Sequence, residues 1–154
     1  MEAIMENKTN IILEEYIPLK IIINKDDEAV DYLTFSKNNM SYIELTFGIN
    51  SHFLKRVTLL SSHEFEYSDE SLLIDKYIET NIYILKNKIK CDIFKTIIYQ
   101  NGAKIILSSE KASRYVKMGN VFLGLSNNEA IVNICVCEMS IMELNHLKNE
   151  LELQ

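Results

Sequence analysis

YIELTFGINSHFLKRVTLL, residues 42–60, is the stretch from which the fold of this chain is read. Ile43, Leu45 and Phe47 alternate with Glu44, Thr46 and Gly48. Asn50, Ser51 and His52 then interrupt the run, and Leu54, Val57 and Leu59 resume it. Period-two alternation on both sides of a polar break marks an antiparallel hairpin with one buried face. The same arrangement returns near the C-terminus. Val121, Leu123 and Leu125 lead to a break at residues 126–129, and Ile131, Ile134 and Val136 follow. Offsets of 78 residues for the first arms and 77 for the second can be read from the numbering. Both lie close to half of the 154-residue length, so an internal duplication, with halves of about 1–77 and 78–154, is one reading. Alternating strands also resemble one another by physics alone.

Around these hairpins the chain reads as follows. Residues 11–13 and 16–23 are extended, with Pro18 marking an edge or a bulge. Residues 24–28 form an acidic loop, residues 30–35 a strand, and residues 36–39 a turn. Ser68, Asp69, Glu70 and Ser71 carry helix-start chemistry ahead of Leu72, Leu73, Tyr77 and Ile78, which predicts a helix over about 70–80. Residues 81–85 read as strand or helix, with strand favoured, and residues 88–99 alternate through Ile89, Cys91 and Ile93. Asn101-Gly102 predicts a two-residue hairpin turn, because both residues tolerate positive φ. Ser140 and Glu143 form an S-x-x-E capping box before Ile141, Leu144, Leu147 and Leu151, which recur at helical spacing. The expectation is a single α+β domain over residues 1–154, with antiparallel sheet built from hairpins and a helix following each half.

Composition bounds the function. The net charge is −6, laid out as −8 over residues 1–85, +6 over 86–117 and −4 over 118–154. That balance argues against nucleic acid and favours a basic protein partner. No apolar run reaches the length of a membrane span, and the N-terminus has no secretory pattern, so the expected location is cytoplasmic. Cys91, Cys135 and Cys137 read as small core residues in a reducing compartment; two residues apart on one strand is poor spacing for a disulfide or a zinc knuckle.

Chemistry-bearing patterns are sparse. His52, His63 and His146 have no metal-ligand spacing. G-x-S-x-G is absent, and the four glycines cannot build a phosphate loop. The expectation is a protein without enzymatic activity, metal or cofactor. Two surfaces remain. Lysines of 86–117 interleave with Tyr83, Phe94, Tyr99 and Tyr115, a mixture able to hold single-stranded nucleic acid or to serve a homo-oligomeric structural domain. Acidic residues Asp26, Asp27, Glu28, Asp31, Glu64, Glu66, Asp69 and Glu70 offer a patch for a basic partner, with Tyr16, Tyr32 or Tyr67 as anchors.

The stretches YIELTFGI, LKRVTLL and NICVCEMSIMELNHLKNEL, about a quarter of the chain, resemble the immunity proteins of bacterial polymorphic or contact-dependent toxin systems. The resemblance implies binding of a toxin domain encoded nearby and blocking of its active site or of substrate approach. It carries over no individual binding residue.

Overall fold

The structure, a computed structural model, describes residues 9–79 and 91–154. Readings made for residues 1–8 and 80–90, including Tyr83, Ile89 and Lys86, Lys88 and Lys90, lie outside the described residues. Among the described residues, twelve strands and one helix follow in chain order: β1 (Asn10–Glu14), β2 (Ile17–Ile22), β3 (Val30–Lys37), β4 (Ser41–Gly48), β5 (Leu54–Ser61), β6 (Glu64–Tyr67), β7 (Ile78–Glu79), β8 (Lys95–Ile98), β9 (Ala103–Ile106), β10 (Arg114–Met118), β11 (Val121–Leu125), β12 (Ile131–Val136) and α1 (Ile141–Glu152). The first sheet has order β1-β2-β5-β4-β3, and the second has order β6-β8-β9-β12-β11-β10-β7. The protein is therefore mostly β, and the expectation of a helix after each half is overturned: among the described residues, only the second hairpin leads into one.

Both hairpins form. β4 and β5 pair antiparallel with Leu45 opposite Val57, and β11 and β12 pair with Leu123 opposite Ile134. Strand order and direction recur between the sheets: β1 to β5 are arranged as β8 to β12, antiparallel at every step. The second sheet adds β6 and β7, each paired in parallel, at its two edges. Ile43, Leu45, Val57 and Leu59 from the first sheet join Ile105, Val121, Leu123 and Ile134 from the second in one continuous core. α1 completes it with Leu144, Leu147 and Leu151. Ser140 Oγ accepts from Glu143 N–H at 3.1 Å, and Ser140 N–H donates to Glu143 Oε1 at 2.8 Å, closing the expected capping box. Ile141 stays outside the core at 76 % exposure.

The missing helix has a geometric cause. Residues 68–77 connect β6 to β7, which are opposite edges of one sheet. Six inter-strand spacings of about 4.8 Å require a reach of roughly 29 Å. The eleven steps from Tyr67 to Ile78 span about 36 Å extended but only about 17 Å as α-helix. The connection runs as an extended strap over the outer face, where Leu72 is buried with Phe122 and Cys135 while Ile74 packs beside them. Asn101 clamps it: its Oδ1 accepts from Leu72 N–H at 2.7 Å, and its amide donates to Leu72 C=O at 3.1 Å.

Local turn chemistry follows backbone demands. Asn38 and Asn39 have φ of 55° and 58°, the pair of positive values a tight hairpin turn requires. The β8–β9 turn forms too, with Ile98 opposite Ala103, but it centres on Gln100-Asn101, so neither Asn101 nor Gly102 takes positive φ. Gly102 serves another purpose: a Cβ there would lie 2.1 Å from the carbonyl oxygen of Val136. Pro18 sits beside the register shift between β1 and β2, before the β2–β5 ladder begins at Leu19.

Candidate protein-binding surface

The eight acidic residues do not form one patch. Asp26, Asp27 and Glu28 lie on the β2–β3 connection, at the end of β5 that starts with Leu54. Glu64 and Glu66 follow the opposite end of that strand. The length of β5, on the order of 20 Å, separates the two groups.

At the first end, carboxylates face inward. A bulge between Thr46 and Phe47 leaves Lys55 of β5 without a partner on β4, and its side chain is 6 % exposed. A buried ammonium is costly unless paired. Asp26 Oδ2 ion-pairs with it, and Glu28 Oε2 lies 3.1 Å from Lys55 Nζ. Glu28 Oε1 also accepts from Asn50 N–H at 2.7 Å and Ser51 N–H at 2.5 Å, while Oε2 accepts from Ser51 Oγ at 2.8 Å. Hydrogen bonds from the Ser51 backbone and hydroxyl, then from Lys55 and Asn50, lower the Glu28 pKa to about 2. The Lys55 hydrogen bond lowers that of Asp26. Burial opposes the charge on Lys55, but the two carboxylates outweigh it and raise its pKa. Gly48 keeps space for this arrangement, since a Cβ there would stand 2.4 Å from Glu28 Oε2. Asp26 and Glu28 thus tie the loop to the hairpin, although the Asp26 side chain remains 49 % exposed. Asp27 is exposed. Asp31, at the start of β3, accepts from Tyr32 N–H at 2.9 Å.

At the second end, acids face outward. Ser62, buried between β5 and β6, accepts from Thr96 Oγ1 at 2.8 Å and donates to Glu64 C=O at 2.9 Å. These bonds anchor the chain as it passes from one sheet to the other. β6 then pairs with β8, which puts Glu64 opposite Lys95 and Phe65 opposite Thr96. Phe65 packs on the core. Glu64, Glu66, Asp69 and Glu70 are all exposed along this edge and the start of the strap. Glu66 ion-pairs with Lys95 at 3.2 Å. Tyr67 is 50 % exposed, and its hydroxyl donates to Glu152 of α1. Burial first, then Glu152, raises the Tyr67 pKa to about 12. Lys148 lies 5.5 Å from the centre of its ring. Glu152 and Lys148 escaped the sequence reading because only the docking of α1 brings them here.

The other anchors stand apart. Tyr16 is 77 % exposed in the β1–β2 turn at φ 70°, and Tyr32 is 48 % exposed on β3. The described cations of 86–117 are mostly engaged: Lys95 with Glu66, Arg114 with Glu129 at 2.5 Å, and Lys117 with Glu79 at 3.6 Å. His52 and His63 are exposed at opposite ends of β5, whereas His146 Nε2 lies 2.9 Å from the carbonyl oxygen of Ile17. Among the described residues no helix is long and apolar enough to cross a membrane. Comparison with protein-family models and with curated protein sequences found no match to this chain.

Proposed function

We propose that this chain is a binding protein that neutralises a basic protein domain stoichiometrically in the cytoplasm of a bacterial cell, as an immunity protein does, without enzymatic activity of its own. One observation carries the reading: Glu64 and Glu66 on one sheet edge, and Asp69 and Glu70 at the start of the strap, are exposed beside the half-exposed Tyr67. Acidic side chains on a rim speed the approach of a basic partner, and an aromatic anchor slows its release. The net charge of −6 supports the same sign of partner. Carboxylates already paired with Lys95, Arg114 and Lys117 weigh against nucleic acid on that segment. Asp26 and Glu28 are already committed to Lys55, which favours the β6 edge as the binding face.

The test is co-expression with a toxic basic domain encoded beside its gene. The wild-type chain should restore growth, and Glu64→Lys, Asp69→Lys and Glu70→Lys together should slow association and flatten its salt dependence. Reversal of Asp27 should do neither. Unchanged protection and association in the triple variant would refute the reading.

A further inference from the structure

The strap touches the second sheet through Leu72, Ile74 and Tyr77 but does not seal it. A cavity of about 660 Å³ lies along it, between residues 70–78, Tyr99, Lys104 and Tyr115. A second, of about 440 Å³, lies under the loop 108–112 and reaches Val132 and Asn133. Lys104, Ala112 and Tyr115 line both, so the two share a wall. Each volume falls in the range of small-molecule sites.

The shared wall has distinctive chemistry. Lys20, Lys55, Lys95, Arg114 and Lys117 each meet a carboxylate, whereas other described cations, among them Lys37 and Lys111, do not. Lys104 rises half-buried from β9, and its ammonium has no ion-pair or hydrogen-bond partner among the described residues. Glu70, Asp75 and Glu110 are on the cavity walls but exposed, and none pairs with it. Beside Lys104, Asn133 is only 6 % exposed and packs over Gly124, where a Cβ would lie 2.5 Å from Asn133 Oδ1. Asn133 Nδ2 donates to the Tyr115 hydroxyl at 3.3 Å, which leaves the hydroxyl proton free to donate onward. The rings of Tyr99 and Tyr115, with Ile74, supply an apolar side.

We propose that this groove binds a small organic anion, its carboxylate or phosphate head on Lys104 and the Tyr115 hydroxyl and its ring or aliphatic body along the strap. A half-buried ammonium lacking a protein counter-ion is complemented by an anion, and a donor pair beside it fixes the orientation of the head. The site does not rest on the partner-binding reading and faces away from the core.

The test titrates the full chain, ¹⁵N-labelled, with benzoate, phenyl phosphate and inorganic phosphate while amide resonances are followed. At least one ring-bearing anion should shift Leu72, Lys104, Tyr115 and Asn133 saturably at millimolar concentration, and the stronger of the two identifies the head group. Lys104→Gln should weaken that binding about tenfold or more, through loss of a charge-assisted contact. Tyr115→Phe, which keeps the ring, should weaken it less, and Lys25→Gln, exposed on the β2–β3 connection and lining neither cavity, should leave it unchanged. Absence of saturable shifts with both ring-bearing probes would overturn the proposal. So would binding unaltered in Lys104→Gln, or inorganic phosphate binding as tightly as the ring-bearing anions.

Discussion

Leu72 and Leu73 are adjacent apolar residues that a helix over 70–80 would use together, and an extended strap turns them to opposite sides. Leu72 is 8 % exposed against Phe122 and Cys135, whereas Leu73 is 79 % exposed. Leu72→Ala removes three buried carbons, worth about 0.8 kcal/mol each, or roughly 2.4 kcal/mol. The cavity contribution should be small, because the space left opens onto a groove already about 660 Å³ in volume. The expected cost is thus about 2–3 kcal/mol, near the lower bound for leucine truncation. Leu73→Ala should fall within about 0.5 kcal/mol of wild type. Urea unfolding followed by circular dichroism measures both. At a slope of about 1–3 kcal/mol per molar urea, the Leu72→Ala midpoint should fall by on the order of 1 M, with the slope unchanged. Equal shifts for the two variants would refute the extended strap and the geometric argument for it.

Leu147→Ala should cost about 2–5 kcal/mol, because Leu147 is fully buried where α1 meets the core; a negligible change in thermal unfolding would make the helix peripheral. Glu28 has a folded pKa of about 2 against an ordinary value of 4.5, so its contribution to stability is complete above pH 4.5 and is lost as pH falls toward 2. Glu28→Gln should accordingly lower stability at neutral pH and flatten its dependence on pH across that acid window, as read by acid titration of the unfolding midpoint. Burial pushes the Cys135 thiol up to about 12, so it should resist alkylation in the native state at mildly alkaline pH and react on unfolding. Mass spectrometry should find label on the half-buried Cys91 and Cys137 first.

Where local rules suffice, the sequence alone was enough. Residues 42–60 and 121–136 carry their own period-two pattern, so each hairpin and its core-facing residues could be read without any knowledge of the partner sheet. But β11 and β12 are buried on both faces, because Leu72 of the strap packs on Phe122 and Cys135. The capping box of Ser140 and Glu143 is complete within four residues, and α1 begins where it says. The segment 70–80 shows the opposite case. Its start signals and apolar residues are genuine, but its ends are held by β6 and β7 at opposite edges of a seven-stranded sheet, and no α-helix of that length spans the gap. Asn101-Gly102 marked a turn in the right region for a different reason: the close approach of Val136, a residue distant in sequence, requires the glycine. The acidic residues divide in the same way. Composition supplied their sign and number, but a bulge that buries Lys55 drew Asp26 and Glu28 inward, while the β6 edge left Glu64, Asp69 and Glu70 facing solvent. Lys104 is not set apart locally from the other seven cations in residues 86–117, although their interleaving with Tyr99 and Tyr115 marked the segment. Its place beside Tyr115 and Asn133 exists only because β9, β10 and β12 are assembled into one sheet and the strap is drawn across them, and pairing between strands far apart in sequence is not encoded in any single window of it.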